Sequence, residues 1–94
     1  MSTRSVRVRI SGRVQGVWYR AWTCEQAVLR NLDGWVRNMS DGSVEAVFSG
    51  LATDVDDMLR ACHEGPGLAQ VDTIDVEEET ESVKSGFHQI PSGA

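Results

Sequence analysis

The sequence contains no long hydrophobic run. No apolar stretch approaches the length of a membrane-spanning helix or of a signal peptide. Hydrophobic residues make up 40% and charged residues 24% of the chain, as in ordinary globular proteins. We therefore expect a cytoplasmic protein with no membrane partner. The 94 residues suffice for one two-layer core, so we expect a single domain over residues 1–90 and a frayed tail over residues 91–94.

Cysteine is scarce, since the chain contains only Cys24 and Cys62. Two thiols cannot form a structural zinc site or a disulfide framework. We interpret both as small buried residues and predict no metal site from them. Each lies in a predicted helix, and spacing alone leaves a disulfide between the two helices open.

The chain also lacks an excess of positive charge, because its formal net charge is −5. Non-specific binding to nucleic acid requires the neutralisation of many phosphates, so we expect no nucleic-acid partner. The arginines nevertheless concentrate in the first part of the chain, at Arg4, Arg7, Arg9, Arg13, Arg20, Arg30 and Arg37. The last third is crowded with acidic residues, at Asp72, Asp75, Glu77, Glu78, Glu79 and Glu81. We expect one end of the molecule to attract small anions.

Hydrophobic periodicity predicts a strand, a helix and a second strand in the first half. Val6, Val8 and Ile10 alternate with polar residues, which indicates a strand with one buried face. The helix is predicted from an apolar stripe with helical spacing, formed by Ala21, Cys24, Val28 and Leu32. We expect Asp33-Gly34 to end this helix, and Trp35 to begin the second strand with its ring in the core.

The second half repeats this order. Ser40-Asp41-Gly42 is a strong turn signal before a third strand over residues 44–48, which predicts a hairpin. A second helix is predicted from the apolar stripe Val55, Met58, Leu59 and Cys62. Gly65-Pro66-Gly67 ends it. A fourth strand over residues 71–76 has apolar residues of opposite parity, which indicates a bulge, and residues 87–90 add a short edge strand.

These elements make two βαβ units joined by a hairpin. Two helices on one face of an antiparallel sheet of four or five strands satisfy the layering and right-handed crossover rules. We therefore predict a ferredoxin-like α+β sandwich. The fold by itself says nothing about function.

The segment from Gly12 to Arg20 is predicted to be a loop that leads into the first helix. Such a loop can turn several backbone N–H groups toward one point, where the helix N-terminus adds partial positive charge. Arg20 lies in the first helical turn, where a cation is unfavourable unless a negative charge lies beside it. No Asp or Glu occurs between Gly12 and Cys24. We infer a bound anion, and a guanidinium beside backbone N–H donors suits a phosphate.

The run Gly12-x-Val14-Gln15-Gly16-Val17-x-Tyr19-Arg20, followed by Gly34-Trp35-Val36-x-Asn38-x-x-Asp41-Gly42-x-Val44-Glu45, resembles the acylphosphatases. The resemblance implies hydrolysis of the carboxyl–phosphate anhydride of acyl phosphates, with an acyl phosphate and inorganic phosphate as small-molecule partners and without metal or cofactor. It implies that Arg20 binds the phosphoryl group and that Asn38 orients the attacking water. Backbone N–H groups would complete the cradle, from Gln15, Gly16, Val17, Trp18, Tyr19 and Arg20. We expect a monomer, and we expect the bulky ring of Trp18 to shape the entrance.

The residue types restrict the chemistry further. The two segments contain no Cys, His, Asp or Glu before Asp41. An alkyl phosphate leaves as a poor alkoxide and needs a proton donor, whereas an acyl phosphate leaves as a carboxylate whose conjugate acid has a pKa near ~4. An acyl phosphate therefore requires only a positioned water and stabilised charge.

Two functions from other classes remain open. A non-catalytic anion-binding module of the same fold would bind phosphate through Arg20 without turnover, although such binding does not require Asn38. An RNA-binding sheet of similar topology would present Arg7 and Arg9 outward. The chain lacks the aromatic pair that stacks bases in such sheets, and its acidic balance opposes RNA binding.

Overall fold

The computed structural model describes residues 2–94, which form five strands and two helices. In chain order these are β1 (Thr3–Arg13), α1 (Tyr19–Leu29), β2 (Asp33–Asn38), β3 (Val44–Leu51), α2 (Ala52–Glu64), β4 (Gln70–Glu78) and β5 (Phe87–Gln89). The strands form one sheet in the order β4-β1-β3-β2-β5, and both helices pack on the same face of it. The predicted ferredoxin-like α+β fold is confirmed.

The direction of β5 differs from the predicted antiparallel sheet. The four longer strands are antiparallel to their neighbours, but β5 is parallel to β2, with Gly34 opposite Phe87. The reason is that β4 ends at the end of the sheet where β2 begins. The chain that crosses to the β2 edge therefore runs alongside β2 in the same direction.

The alternation predicted for β1 is confirmed, because Val6, Val8 and Ile10 all lie in the core. The stripe of α2 is likewise buried at Val55, Met58 and Cys62. The bulge predicted in the fourth strand appears as a register shift against β1 between Ser11 and Gly12. Both cysteines are free thiols, and only Cys62 is fully buried.

The apolar stripe predicted for α1 is wrong at Val28, although Leu32 lies in the core and Cys24 packs against it. The buried face of this helix consists of Tyr19, Thr23 and Ala27. Val28 is 62% and Leu29 is 74% exposed. Tyr19 determines this rotation, because its ring is buried and its hydroxyl donates a hydrogen bond of 2.6 Å to the backbone carbonyl of Cys62 in α2. Thr23 fits the buried face because its hydroxyl donates to the Tyr19 carbonyl at 2.7 Å.

The predicted end of α1 is also wrong. The helix ends at Leu29, and Asn31 adopts the left-handed conformation with φ 56°. Asp33 and Gly34 open β2 instead. Gly34 is required there because a Cβ atom would lie 1.8 Å from the carbonyl oxygen of Val47 on the neighbouring strand.

The sheet face opposite the helices is covered by charged side chains. Trp35, predicted to lie in the core, lies on this face, with the Arg7 and Arg37 guanidinium groups 5.4 and 5.0 Å from its ring centroid. Glu45 is only 6% exposed. Its Oε1 accepts hydrogen bonds from Arg37 Nε and Nη2 at 2.9 and 2.6 Å, and its Oε2 lies 3.3 Å from Arg7 Nη1.

The segment after β5 continues beside β2. Ile90 N–H donates to the Val36 carbonyl at 3.0 Å, and Gly93 N–H donates to the Asn38 carbonyl at 2.9 Å. Within the predicted tail over residues 91–94, Gly93 therefore contacts the end of β2. No helix within residues 2–94 is long and apolar enough to cross a membrane.

Candidate active site

The predicted site residues lie at one end of the sheet. The carboxyl ends of β1, β2 and β5 meet the N-terminus of α1 there and border a cavity of about 390 Å³. Among the predicted site residues, those that line it are Gly16, Trp18, Tyr19, Arg20 and Asn38. Val14, Ala21 and Gln89 complete the lining. Gln15 and Val17 belong to the same loop but do not line the cavity, and Val17 is buried.

The loop between β1 and α1 presents backbone N–H groups that have no protein partner. Within residues 2–94, none of the N–H groups of residues 15–20 donates a hydrogen bond. No side chain caps α1, and its first turn contains no acidic residue. Because a helix N-terminus carries partial positive charge, this end of α1 is suited to an anion.

Two loop residues adopt left-handed backbone conformations. Gly16 has φ 74°, and Trp18, the N-cap residue of α1, has φ 68° and ψ 17°. Loops with such residues form concave nests of N–H groups that bind anions. Glycine adopts this conformation freely. For Trp18 the same conformation costs roughly 1–2 kcal/mol.

The Gln15 side chain holds this loop against the β2–β3 turn. Its Nε2 donates to the Met39 carbonyl at 2.8 Å and to the Ser43 carbonyl at 2.9 Å. The turn therefore keeps a fixed distance from the loop. The sequence predicts only a backbone contribution from Gln15. No local pattern indicates the side-chain contact, because its partners lie 24 and 28 residues along the chain.

The turn itself is fixed by Asp41. One carboxylate oxygen accepts hydrogen bonds from the backbone N–H and the hydroxyl of Ser43, and the other lies 3.3 Å from Arg9 Nη1. The hydrogen bonds from Ser43 are the main reason that the pKa of Asp41 lies below its usual value. Asn38, at the end of β2, is thus followed by a well-defined turn.

Arg20 differs from most arginines of the chain in its surroundings. Ion pairs with carboxylates are formed by Arg4, Arg7, Arg9, Arg30, Arg37 and Arg60. Arg20 is half-buried at the cavity and forms no ion pair within residues 2–94. Its charge and its planar set of N–H donors are available to a ligand.

Asn38 also has unsatisfied hydrogen-bonding capacity. Its Oδ1 is buried without a hydrogen-bond partner in the described part of the chain. Its Nδ2 likewise makes no hydrogen bond there but is not buried, so the amide presents its nitrogen rather than its oxygen to the surroundings. A rotation of the amide by about 180° exchanges the two atoms, since this torsion is roughly two-fold. A buried oxygen without a partner costs about 1–3 kcal/mol, which favours such a rotation when a donor arrives.

The neighbouring titratable groups are unsuited to nucleophilic attack. Burial raises the pKa of the Tyr19 phenol above its ordinary value, and burial raises the pKa of the Cys62 thiol to about 12. Both groups therefore stay protonated near neutral pH. In residues 2–94, no three His, Cys, Asp or Glu side chains come together as a metal site.

Comparison with known proteins gives a consistent result. The family model described as Acylphosphatase matches residues 6–89. A curated protein named Acylphosphatase from Rhizorhabdus wittichii is 52% identical over 86 residues, which cover 92% of this chain and 87% of that protein. One of the same name from Rhodospirillum rubrum is 51% identical, covering 95% of this chain and 98% of that protein. The solved structure of an acylphosphatase from Coxiella burnetii superimposes with a TM-score of 0.89 at 33% identity, covering 94% and 93% of the two chains.

Proposed function

The chain belongs to the acylphosphatase family of hydrolases, and on this premise we propose how it hydrolyses the carboxyl–phosphate anhydride of acyl phosphates. Arg20 and the backbone N–H groups of residues 15–20 hold the phosphoryl group. Asn38 orients a water molecule that attacks the phosphorus directly. The products are a carboxylate and inorganic phosphate.

The observation that supports this proposal most strongly is the absence of protein partners at one cavity. Arg20 has no ion pair, six consecutive N–H groups donate no hydrogen bond, and the Asn38 amide is unsatisfied within residues 2–94. Buried polar groups are nearly always paired in folded proteins. A phosphoryl group with an adjacent water would supply acceptors for the donors and a donor for the amide oxygen.

The bond changes are those of a direct displacement at phosphorus. The water oxygen forms a bond to phosphorus while the bond from phosphorus to the acyl oxygen breaks, and that electron pair leaves with the carboxylate. One proton of the water passes to a phosphoryl oxygen of the substrate. No acid is needed at the leaving group, because a carboxylate is stable at neutral pH with a conjugate acid of pKa near ~4.

The protein contributes position and charge. Donors that are fixed before the reaction and aimed at developing charge are commonly worth about 10²–10³-fold in rate each. Arg20 supplies two parallel donors and a full positive charge, and the loop supplies neutral N–H donors. Rotation of the Asn38 amide brings Oδ1 to the water, whose hydrogen bond then satisfies that oxygen and holds the water in line with the bond that breaks.

The test is hydrolysis of benzoyl phosphate with and without EDTA, beside p-nitrophenyl phosphate as a substrate with a poor leaving group. We expect fast turnover of benzoyl phosphate that EDTA does not affect. The variant Asn38→Ala should lower kcat by at least about 10²-fold while inorganic phosphate still inhibits it, because phosphate contacts remain.

Gln70→Ala is the matched control, because Gln70 is an exposed amide outside the cavity and its removal should leave the kinetics unchanged. Phosphate binding lost in Asn38→Ala with kcat retained would contradict the role of Asn38. Saturable phosphate binding without turnover in the unaltered protein would instead identify an anion-binding module.

A further inference from the structure

We infer that Trp18 is a platform for the acyl group of the substrate, so that the protein prefers acyl phosphates with aromatic or other large apolar acyl groups. The inference rests on the proposed function, because it takes the phosphoryl group to lie against Arg20 and the loop N–H groups. It adds a specificity-determining residue to that site. It also names the chemical class of acyl group that the site favours.

Among residues 2–94, Trp18 is the one large apolar residue that both lines the cavity and is exposed to solvent. Trp18 is 78% exposed, whereas Val14 and Tyr19, which also line the cavity, are buried. An indole left uncovered offers a flat apolar surface that a ligand can cover. The apolar part of the lining that a substrate can reach is therefore mainly this ring.

The connectivity of an acyl phosphate brings its acyl group to this ring. The acyl carbon is joined to phosphorus through a single bridging oxygen, so a held phosphoryl group keeps the acyl group within or just outside the same cavity. Trp18 belongs to the loop whose N–H groups face the anion and lines the cavity beside Arg20 and Asn38. A cavity of about 390 Å³ is within the range of small-molecule sites and has room beyond a phosphoryl group.

The polar part of the lining complements this arrangement. Gln89, in β5, is exposed at the cavity, and its side chain makes no hydrogen bond within residues 2–94. Its amide can donate to the carbonyl oxygen of an acyl group. The cavity thus offers one polar group for the carboxyl end of the leaving group and one aromatic surface for the remainder.

The backbone at Trp18 is a further indication of a functional side chain. A left-handed N-cap conformation suits glycine, and a tryptophan with φ 68° is strained there. Strained residues of this kind cluster at ligand sites. Within residues 2–94 the ring is left mostly uncovered, so no packing there offsets the strain, which points to a contact made with the ligand.

The test compares kcat/KM for benzoyl phosphate and acetyl phosphate, expressed as a ratio. We expect the unaltered protein to favour benzoyl phosphate and Trp18→Gly to reduce the ratio by roughly 2–10-fold, the value of one aromatic contact. Trp18→Phe, which keeps an aromatic ring, should retain most of the ratio. Because glycine suits the backbone at this position, the Trp18→Gly variant is expected to fold. Its thermal unfolding temperature verifies that it does.

Leu29→Ala is the matched control, since Leu29 is a similarly exposed apolar residue of α1 that does not line the cavity. Damage to the phosphate cradle alone would lower both kcat/KM values together. A ratio that is the same in Trp18→Gly and in the unaltered protein would therefore overturn the inference while leaving the proposed function intact. If the unaltered protein hydrolyses neither benzoyl phosphate nor acetyl phosphate, the proposed function itself is refuted.

Discussion

At the scale of single residues, the candidate site consists of groups that the fold leaves without protein partners. Arg20 is half-buried without an ion pair within residues 2–94, although the chain contains 14 acidic residues. The Asn38 amide oxygen is buried and has no hydrogen-bond partner in the described part of the chain. The unsatisfied amide oxygen costs stability in the absence of a ligand, so ligand binding should stabilise the protein.

Arg20→Lys tests whether the planar geometry of the guanidinium matters as well as its charge. Lysine keeps the positive charge but cannot make two parallel hydrogen bonds to one phosphoryl group. We expect kcat/KM for benzoyl phosphate to fall by at least about 10²-fold, with weaker inhibition by phosphate. Steady-state kinetics with phosphate as inhibitor measures both effects, and near-normal kinetics would contradict the assignment.

The sequence predicts Arg20 and Asn38 as site residues because they occur in two recognisable segments, and the structure places both at one cavity. It did not indicate the Gln15 side-chain contacts or the place of Gln89 at the cavity. These depend on which segments the sheet brings together. β5 reaches the cavity only because it runs parallel to β2, and no local pattern specifies that direction.

At the scale of secondary-structure elements, α1 shows where local patterns mislead. Its sequence contains two overlapping apolar stripes, and helical spacing alone favoured the one through Val28, which is 62% exposed. The docking of α1 is determined instead by Tyr19, which reaches α2. The strands were easier to predict, because an alternating pattern such as that of β1 has only two faces to choose between.

Tyr19→Phe removes the hydroxyl that links α1 to α2. The Cys62 carbonyl is among the last four of its helix, which have no partner within the helix, and in the variant it stays buried without a donor. We expect the free energy of unfolding to fall by about 1–2 kcal/mol. In thermal unfolding, the midpoint temperature should fall by roughly 4–8 °C for each kcal/mol lost. An unchanged midpoint would mean that packing of the ring alone holds α1 in place.

At the scale of the whole molecule, the two faces of the sheet are protected by different means. Helices cover one face with apolar side chains, whereas on the other face arginine side chains lie over Trp35 and Glu45. Glu45 Oε2 also lies 4.0 Å from Arg9 Nη2, so three cations surround one buried carboxylate. This network connects β1, β2 and β3 without a second layer of helices.

Glu45→Ala should therefore destabilise the protein measurably. Removing the carboxylate leaves Arg37 without its ion-pair partner, while Arg7 and Arg9 keep Glu79 and Asp41. Because these arginines are partly exposed to solvent, we expect a cost of about 1–3 kcal/mol. Glu77→Ala is the control, because Glu77 is exposed on the same face opposite Arg7 and its loss should cost about 0.5 kcal/mol or less. Urea unfolding of both variants measures the difference, and equal stabilities would show that the network contributes little.

The strand order also determines how this protein can fold. Only β2 and β3 are neighbours through a short hairpin, with Arg37 and Glu45 8 residues apart. The other strand pairings are accompanied by contacts, in or next to the strands, between residues 44, 72 and 53 positions apart, as in Ser5–Ser49, Arg7–Glu79 and Asp33–Gly86. Each requires closure of a long loop before any contact stabilises it, so we expect this protein to fold more slowly than helical bundles do. The hairpin that carries Asn38 can form early, whereas the cavity is completed only when β1 and β5 have both joined the sheet.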